Sequence, residues 1–123
     1  MKILVVDDLP EMIEMIRMNL ELVGHTVMEA KNAPEAIGLM STEQFDLIIT
    51  DHQMGRGGDG LTVAQHAQKL SPLPLVIWSS SLAISAPNLV LQVQETGALT
   101  VFKSDLMIML RDRGIICPLP VAA

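Results

Sequence analysis

The sequence predicts an α/β protein built on one parallel sheet with helices on both faces. Two observations carry this prediction. Apolar runs of strand length alternate strictly with stretches of helical period through five units. The runs are also apolar at consecutive positions, as in ILVV, LII and LVIW, which is how strands buried on both faces read. At 123 residues, half of them apolar, the chain is long enough for one continuous core.

The elements follow in order. Lys2–Val6 is the first strand, and Leu9–Val23 the first helix, with Ile13, Ile16, Leu20 and Val23 on one stripe and Glu11, Glu14, Arg17 and Glu21 on the other. Gly24 closes that helix as a C-terminal residue should. Thr26–Ala30 is the second strand. Pro34 opens a second helix reaching Ser41. Asp46–Thr50, a helix near Gly60–Leu70, and Leu75–Trp78 come next. A helix from Pro87 to Thr96, a strand over Ala98–Phe102 and a helix over Asp105–Arg113 complete the set. Residues 1–114 form the expected domain, and 115–123 a proline-containing tail or the start of a linker.

Composition narrows the function. A net charge of −6 with scattered basic residues leaves no basic stripe, so direct nucleic-acid binding is not expected. No apolar run approaches the length of a membrane span, and the one after Lys2 is too short for a signal peptide, so no membrane insertion is expected. Cys117 stands alone and excludes an intramolecular disulfide, which fits a reducing, cytoplasmic setting.

In an open parallel sheet, function collects beyond the carboxyl ends of the strands. Here those ends carry Asp7 and Asp8, then Asp51, then Ser79 to Ser81, then Lys103, while the second strand ends unremarkably in Glu29 and Ala30. Two carboxylates about 5 Å apart repel by roughly 3 kcal/mol at an effective dielectric near 20. One lysine does not balance three of them. A divalent cation with oxygen ligands does, and Mg²⁺ suits a site that keeps waters and admits a phosphate. No Cys or His cluster at ligand spacing offers a zinc alternative. The chemistry this predicts is phosphoryl transfer by positioning and electrostatics, with Asp51 as nucleophile.

The ordered set, DD after the first strand, D after the third, a hydroxyl after the fourth and K after the fifth, resembles the response-regulator receiver domain (CheY-like) of two-component signalling. The resemblance runs from Lys2 to about Arg113. It implies a (βα)5 flavodoxin-like sandwich with sheet order 2-1-3-4-5. It further implies Asp51 as phospho-acceptor, Asp8 as a direct Mg²⁺ ligand, Asp7 as a ligand through water and the backbone carbonyl of Gln53 as a third contribution. Ser79 would bond the phosphoryl group, Ser80 would leave room for it, and Lys103 would pair with the acceptor carboxylate. The implied partner is a histidine kinase or phosphotransfer protein, with a homodimer or output domain on the helix-four, strand-five, helix-five face. Such a domain is no enzyme beyond its own phosphorylation and dephosphorylation.

The sequence departs from the family pattern in four places. The loop after the acceptor, DHQMGRGGDG, is one residue longer than usual and has Gly55 where proline is expected. The loop SSSLAISAPN is extended. Ser104 follows the lysine in place of proline. Thr100 stands where an aromatic usually sits, with Phe102 beside the lysine instead. These departures keep a second reading open, a non-phosphorylated receiver-like interaction module.

Simpler roles exist for individual residues. Asp8-Leu-Pro-Glu11 reads as a capping box with Asp8 as N-cap, which explains one aspartate and leaves Asp7. His25, His52 and His66 read as surface or packing residues, although His52 borders the acceptor and is a candidate contact to the phosphate. The nine methionines, mostly at helical positions, read as core packing. A flavin phosphate would be repelled by the paired aspartates, and DHQ at 51–53 lacks the D-x-D of haloacid-dehalogenase-type phosphatases.

Overall fold

The computed structural model describes residues 1–52, 59–80 and 87–117. Five strands, β1 (Lys2–Val6), β2 (Thr26–Ala30), β3 (Leu47–Asp51), β4 (Leu75–Ser80) and β5 (Leu99–Phe102), alternate with five helices. The helices are α1 (Pro10–Leu22), α2 (Ala33–Thr42), α3 (Asp59–Ala67), α4 (Pro87–Glu95) and α5 (Leu106–Asp112), the last entered through a 3-10 turn at Lys103–Asp105. All pairings are parallel and the order is β2-β1-β3-β4-β5, a flavodoxin-like α/β fold.

Strand residues alternate between two cores. Ile3, Val5, Leu47, Ile49 and Ile77 face α1 and α5, meeting Ile13, Ile16, Leu20, Leu106 and Leu110. Leu4, Val6, Ile48, Val76 and Trp78 face the other way, against Ala36, Met40, Val63, Ala67 and Val93 of α2, α3 and α4. Each fully buried large side chain contributes about 1.5–3 kcal/mol, so the doubly covered strands are the main source of stability. No helix among the described residues is long and apolar enough to cross a membrane.

Several local expectations are corrected. Val23 is exposed, because α1 stops at Leu22 and the chain turns through a positive-φ Gly24. The amides of Gly24 and His25 bond back to Glu21 and Leu20, closing the last turn as a Schellman motif. The N-cap of α1 is Leu9, with no side-chain cap, so Asp8 forms no capping box. Instead the Leu9 amide donates to Asp7 Oδ1 at 3.0 Å, and Pro10 fills a first-turn position that needs no donor. Among the described methionines only Met40 is buried; Met15 and Met18 lie on the outer side of α1.

The apolar run of α5 is only partly covered. Leu106 and Leu110 are buried, Met107 and Met109 pack beside them, and Ile108 is exposed. Ile115 and Ile116, in the segment read as tail, are buried in the same cluster. His25 anchors this end of the chain, its Nε2 lying 2.8 Å from the carbonyl oxygen of Ile115. Pro118 to Ala123 lie outside the described residues.

Candidate phosphorylation and metal site

The strand ladder carries the chemistry beyond the apolar positions. β3 and β4 run further than their apolar residues indicate, with Asp51 paired in register with Ser79. By alternation Asp7, Asp51, Ser79 and Lys103 continue the face that lower down packs α1 and α5, so their side chains share one side of the sheet edge. Asp7, Asp51 and Ser79 are buried, while Asp8 is exposed.

One cation joins the set. Lys103 Nζ lies 3.2 Å from Asp7 Oδ2 and 3.2 Å from Asp51 Oδ1. The His52 amide lies 2.9 Å from Asp51 Oδ1 and 2.8 Å from the Ser79 carbonyl, and so is shared between the acceptor and the ladder. Burial raises the pKa of Asp51 above the ordinary 3.8; the Asp7 charge adds to this and Lys103 opposes it. For Lys103, burial acts to lower the pKa, but the charges and hydrogen bonds of Asp51 and Asp7 together outweigh it and raise the group above 10.5.

Asp7, Asp8 and Asp51 each bring one carboxylate oxygen into a group whose atoms lie within 4.8 Å of one another. An octahedral Mg²⁺ at about 2.1 Å from its ligands spans roughly 4.2 Å between opposite oxygens, so this hard-oxygen set fits with small adjustment. Among the described residues, three carboxylates against one ammonium leave negative charge that a divalent cation relieves. Gln53, whose carbonyl the resemblance implies as a ligand, lies outside the described residues, as does Ser81. Ser79 Oγ donates a long bond, 3.4 Å, to the carbonyl of Thr50.

Two close contacts beside the acceptor were not read from the sequence. A Cβ at Gly60 would lie 2.2 Å from the carbonyl oxygen of Asp51 and 2.6 Å from Trp78 Nε1, so only glycine lets α3 start here. Its amide bonds the carbonyl of His52 at 3.2 Å. Of the two roles read for His52, surface or packing, the structure bears out packing: it is buried, edge-on to Trp78 with ring centroids 5.0 Å apart. Its spacing from Ile48 and Thr50 already places it on the inward face of β3; the charged neighbours obscured that signal. Two grooves elsewhere among the described residues, one along α1 and Glu29 and one near Phe45 and Pro72, are not lined by Asp7, Asp8 or Asp51.

The response regulator receiver domain family matches residues 3–104. Over 102 residues, 82% of this chain, it is 32% identical to a protein-glutamate methylesterase/protein-glutamine glutaminase of Hahella chejuensis, covering 29% of that protein. The chain spans under a third of the length of the first curated relatives it matches. A CheY-like receiver domain protein from Methanospirillum hungatei superimposes with a TM-score of 0.77 over 91% of both chains at 23% identity. A response regulator of Burkholderia pseudomallei, solved with a phosphorylated aspartic acid, a calcium ion and citrate, superimposes at 0.75 with 24% identity, over 89% of this chain and 64% of the other.

Proposed function

Because the chain belongs to the response regulator receiver family of two-component signalling, whose domains are phosphorylation switches rather than catalytic enzymes, we propose that it accepts a phosphoryl group on Asp51. The donor is the phosphohistidine of a kinase or phosphotransfer protein. The Asp51 carboxylate attacks phosphorus in line; the bond to the histidine nitrogen breaks, an acyl phosphate forms, and the nitrogen keeps the electron pair. Burial beside Asp7, which raises the pKa of Asp51, makes that carboxylate a better nucleophile than a solvated one.

Asp7, Asp8 and Asp51, with the carbonyl of Gln53, are the residues to hold Mg²⁺, which when bound neutralises charge on the transferring group. Lys103 leaves the carboxylate pair to bond a phosphoryl oxygen. Ser79 gives up its long bond to Thr50 and turns its hydroxyl to another, beside the small Ser80. The observation that carries the reading is the convergence of three carboxylates and Lys103 on one sheet edge. That the Burkholderia protein holds a phosphorylated aspartate and a divalent cation supports it.

The face of α4, β5 and α5, where Leu91, Phe102 and Ile108 are exposed, is the proposed contact for a second copy or an output domain. Thr100, paired by Gln94 rather than replaced by an aromatic, favours the alternative of a non-phosphorylated interaction module. Intact-mass analysis after acetyl phosphate and Mg²⁺ separates the two. One acid-stable, alkali-labile phosphate, absent in Asp51→Ala, is expected; equal labelling of the variant removes the assignment, and no labelling of wild type leaves the alternative.

A further inference from the structure

We propose that His52 is a positioning residue that passes the state of Asp51 to Trp78. The inference rests on the reading of Asp51 as acceptor. Trp78 is paired in register with Thr50 on one side and Thr100 on the other. Laterally paired residues of a parallel sheet share a face, so the indole stands on the face to which a side chain at 100 points, one strand further in. It is fully buried and immediately precedes Ser79, the hydroxyl placed to meet the phosphoryl group.

His52 supplies the connection. Its amide is divided between Asp51 Oδ1 and the Ser79 carbonyl, and its ring meets Trp78 edge-on. When Asp51 Oδ1 exchanges its partners for a phosphoryl group, the balance of that shared amide changes, and the ring moves with its backbone. Gly60 closes the far side: its amide bonds the His52 carbonyl, and a Cβ on it would lie 2.6 Å from Trp78 Nε1, so the backbone leaves no spare room there. A displaced His52 therefore moves the indole or the start of α3.

His52 Nδ1 and Trp78 Nε1 are both buried, and neither has a hydrogen-bond partner among the described residues. Buried polar atoms are satisfied in the great majority of structures. Two orphans in contacting rings mark an arrangement that a second state improves by giving either nitrogen a partner. Two-state elements of this kind are what carry a signal between sites.

Trp78 is the sole tryptophan, so its emission reads the relay directly. The experiment follows Trp78 fluorescence of the 123-residue chain as beryllofluoride or acetyl phosphate is added with Mg²⁺, normalised to phosphate bound by intact mass. Wild type is expected to shift, His52→Leu to lose most of the shift per phosphate, and His52→Phe, which keeps an edge-on ring, to recover part of it. An equal shift in His52→Leu, or none in phosphorylated wild type, overturns the relay alone. Failure of wild type to take phosphate overturns the acceptor reading and the relay with it. Should His52→Leu not fold, an unchanged quencher accessibility of Trp78 between free and phosphorylated wild type gives the same refutation.

Discussion

Lys103 stands equidistant from Asp7 and Asp51, its ammonium nitrogen 3.2 Å from an oxygen of each. The lysine thus holds together two buried carboxylates that would otherwise repel, and its charge opposes that of any cation bound to the same two residues.

Replacing Lys103 with methionine keeps the aliphatic stem and removes the charge. The metal-free variant should lose about 2 kcal/mol, less than a fully buried pair because the lysine is partly exposed. Mg²⁺ should then bind about tenfold more tightly, a gain of roughly 1.4 kcal/mol, while phosphate uptake falls. Calorimetric titration with Mg²⁺ and urea unfolding check the two signs; weaker Mg²⁺ binding in the variant would show that the lysine does not oppose the metal.

The pH dependence of metal-free stability follows from Asp51. Its folded pKa lies above the ordinary 3.8 because of burial and Asp7. Between those two values the folded state binds more protons than the unfolded state, so this group's contribution falls as pH rises through the window and is level above it. Lys103, raised above 10.5, contributes stability that is full below that value and lost as pH climbs through its folded pKa. Asp51→Asn should therefore be more stable than wild type at neutral pH and should flatten the acid-side slope. Urea midpoints across the carboxylate range, compared between the two proteins, are the measurement.

Gly60→Ala places a methyl group against the Asp51 carbonyl and the indole nitrogen of Trp78. Neither neighbour is the free end of a flexible chain, so a loss of about 2–3 kcal/mol is expected. Because α3 is pushed from the end of β3, phosphate uptake should slow as well. Denaturant unfolding and the rate of labelling by acetyl phosphate test both; a variant as stable as wild type contradicts the close fit.

Ile116→Ala should cost about 2–4 kcal/mol, since the side chain is buried against the α1 and α5 core. Truncation after Gly114 should cost more, because Ile115 and the bond from His25 are lost too. Thermal unfolding of the two variants reads the difference. A truncated chain melting with wild type would place the end of the domain at Gly114.

The sheet was legible because a strand buried on both faces writes its own signature, as ILVV and LVIW do. Asp7, Asp51 and Lys103 were legible for the opposite reason: a charge directly after such a run is expensive unless it has partners. The contact of Trp78 with His52 escaped because it is set by the register of β3 on β4, which neither strand states alone. Gly60 escaped because its role is a distance to a backbone carbonyl nine residues earlier. Val23 and the outer methionines were misplaced at helix ends and on faces where apolar residues are tolerated without being covered.

The bond from His25 to the Ile115 carbonyl has a mechanical consequence. It ties the entrance of β2 to the exit of α5. Tension applied to the chain beyond Ile116 is shared with the β1–β2 ladder, whose five paired positions resist sliding together. Movement of that end is therefore coupled to the sheet's outer edge at β2, at the strand ends opposite the acidic cluster.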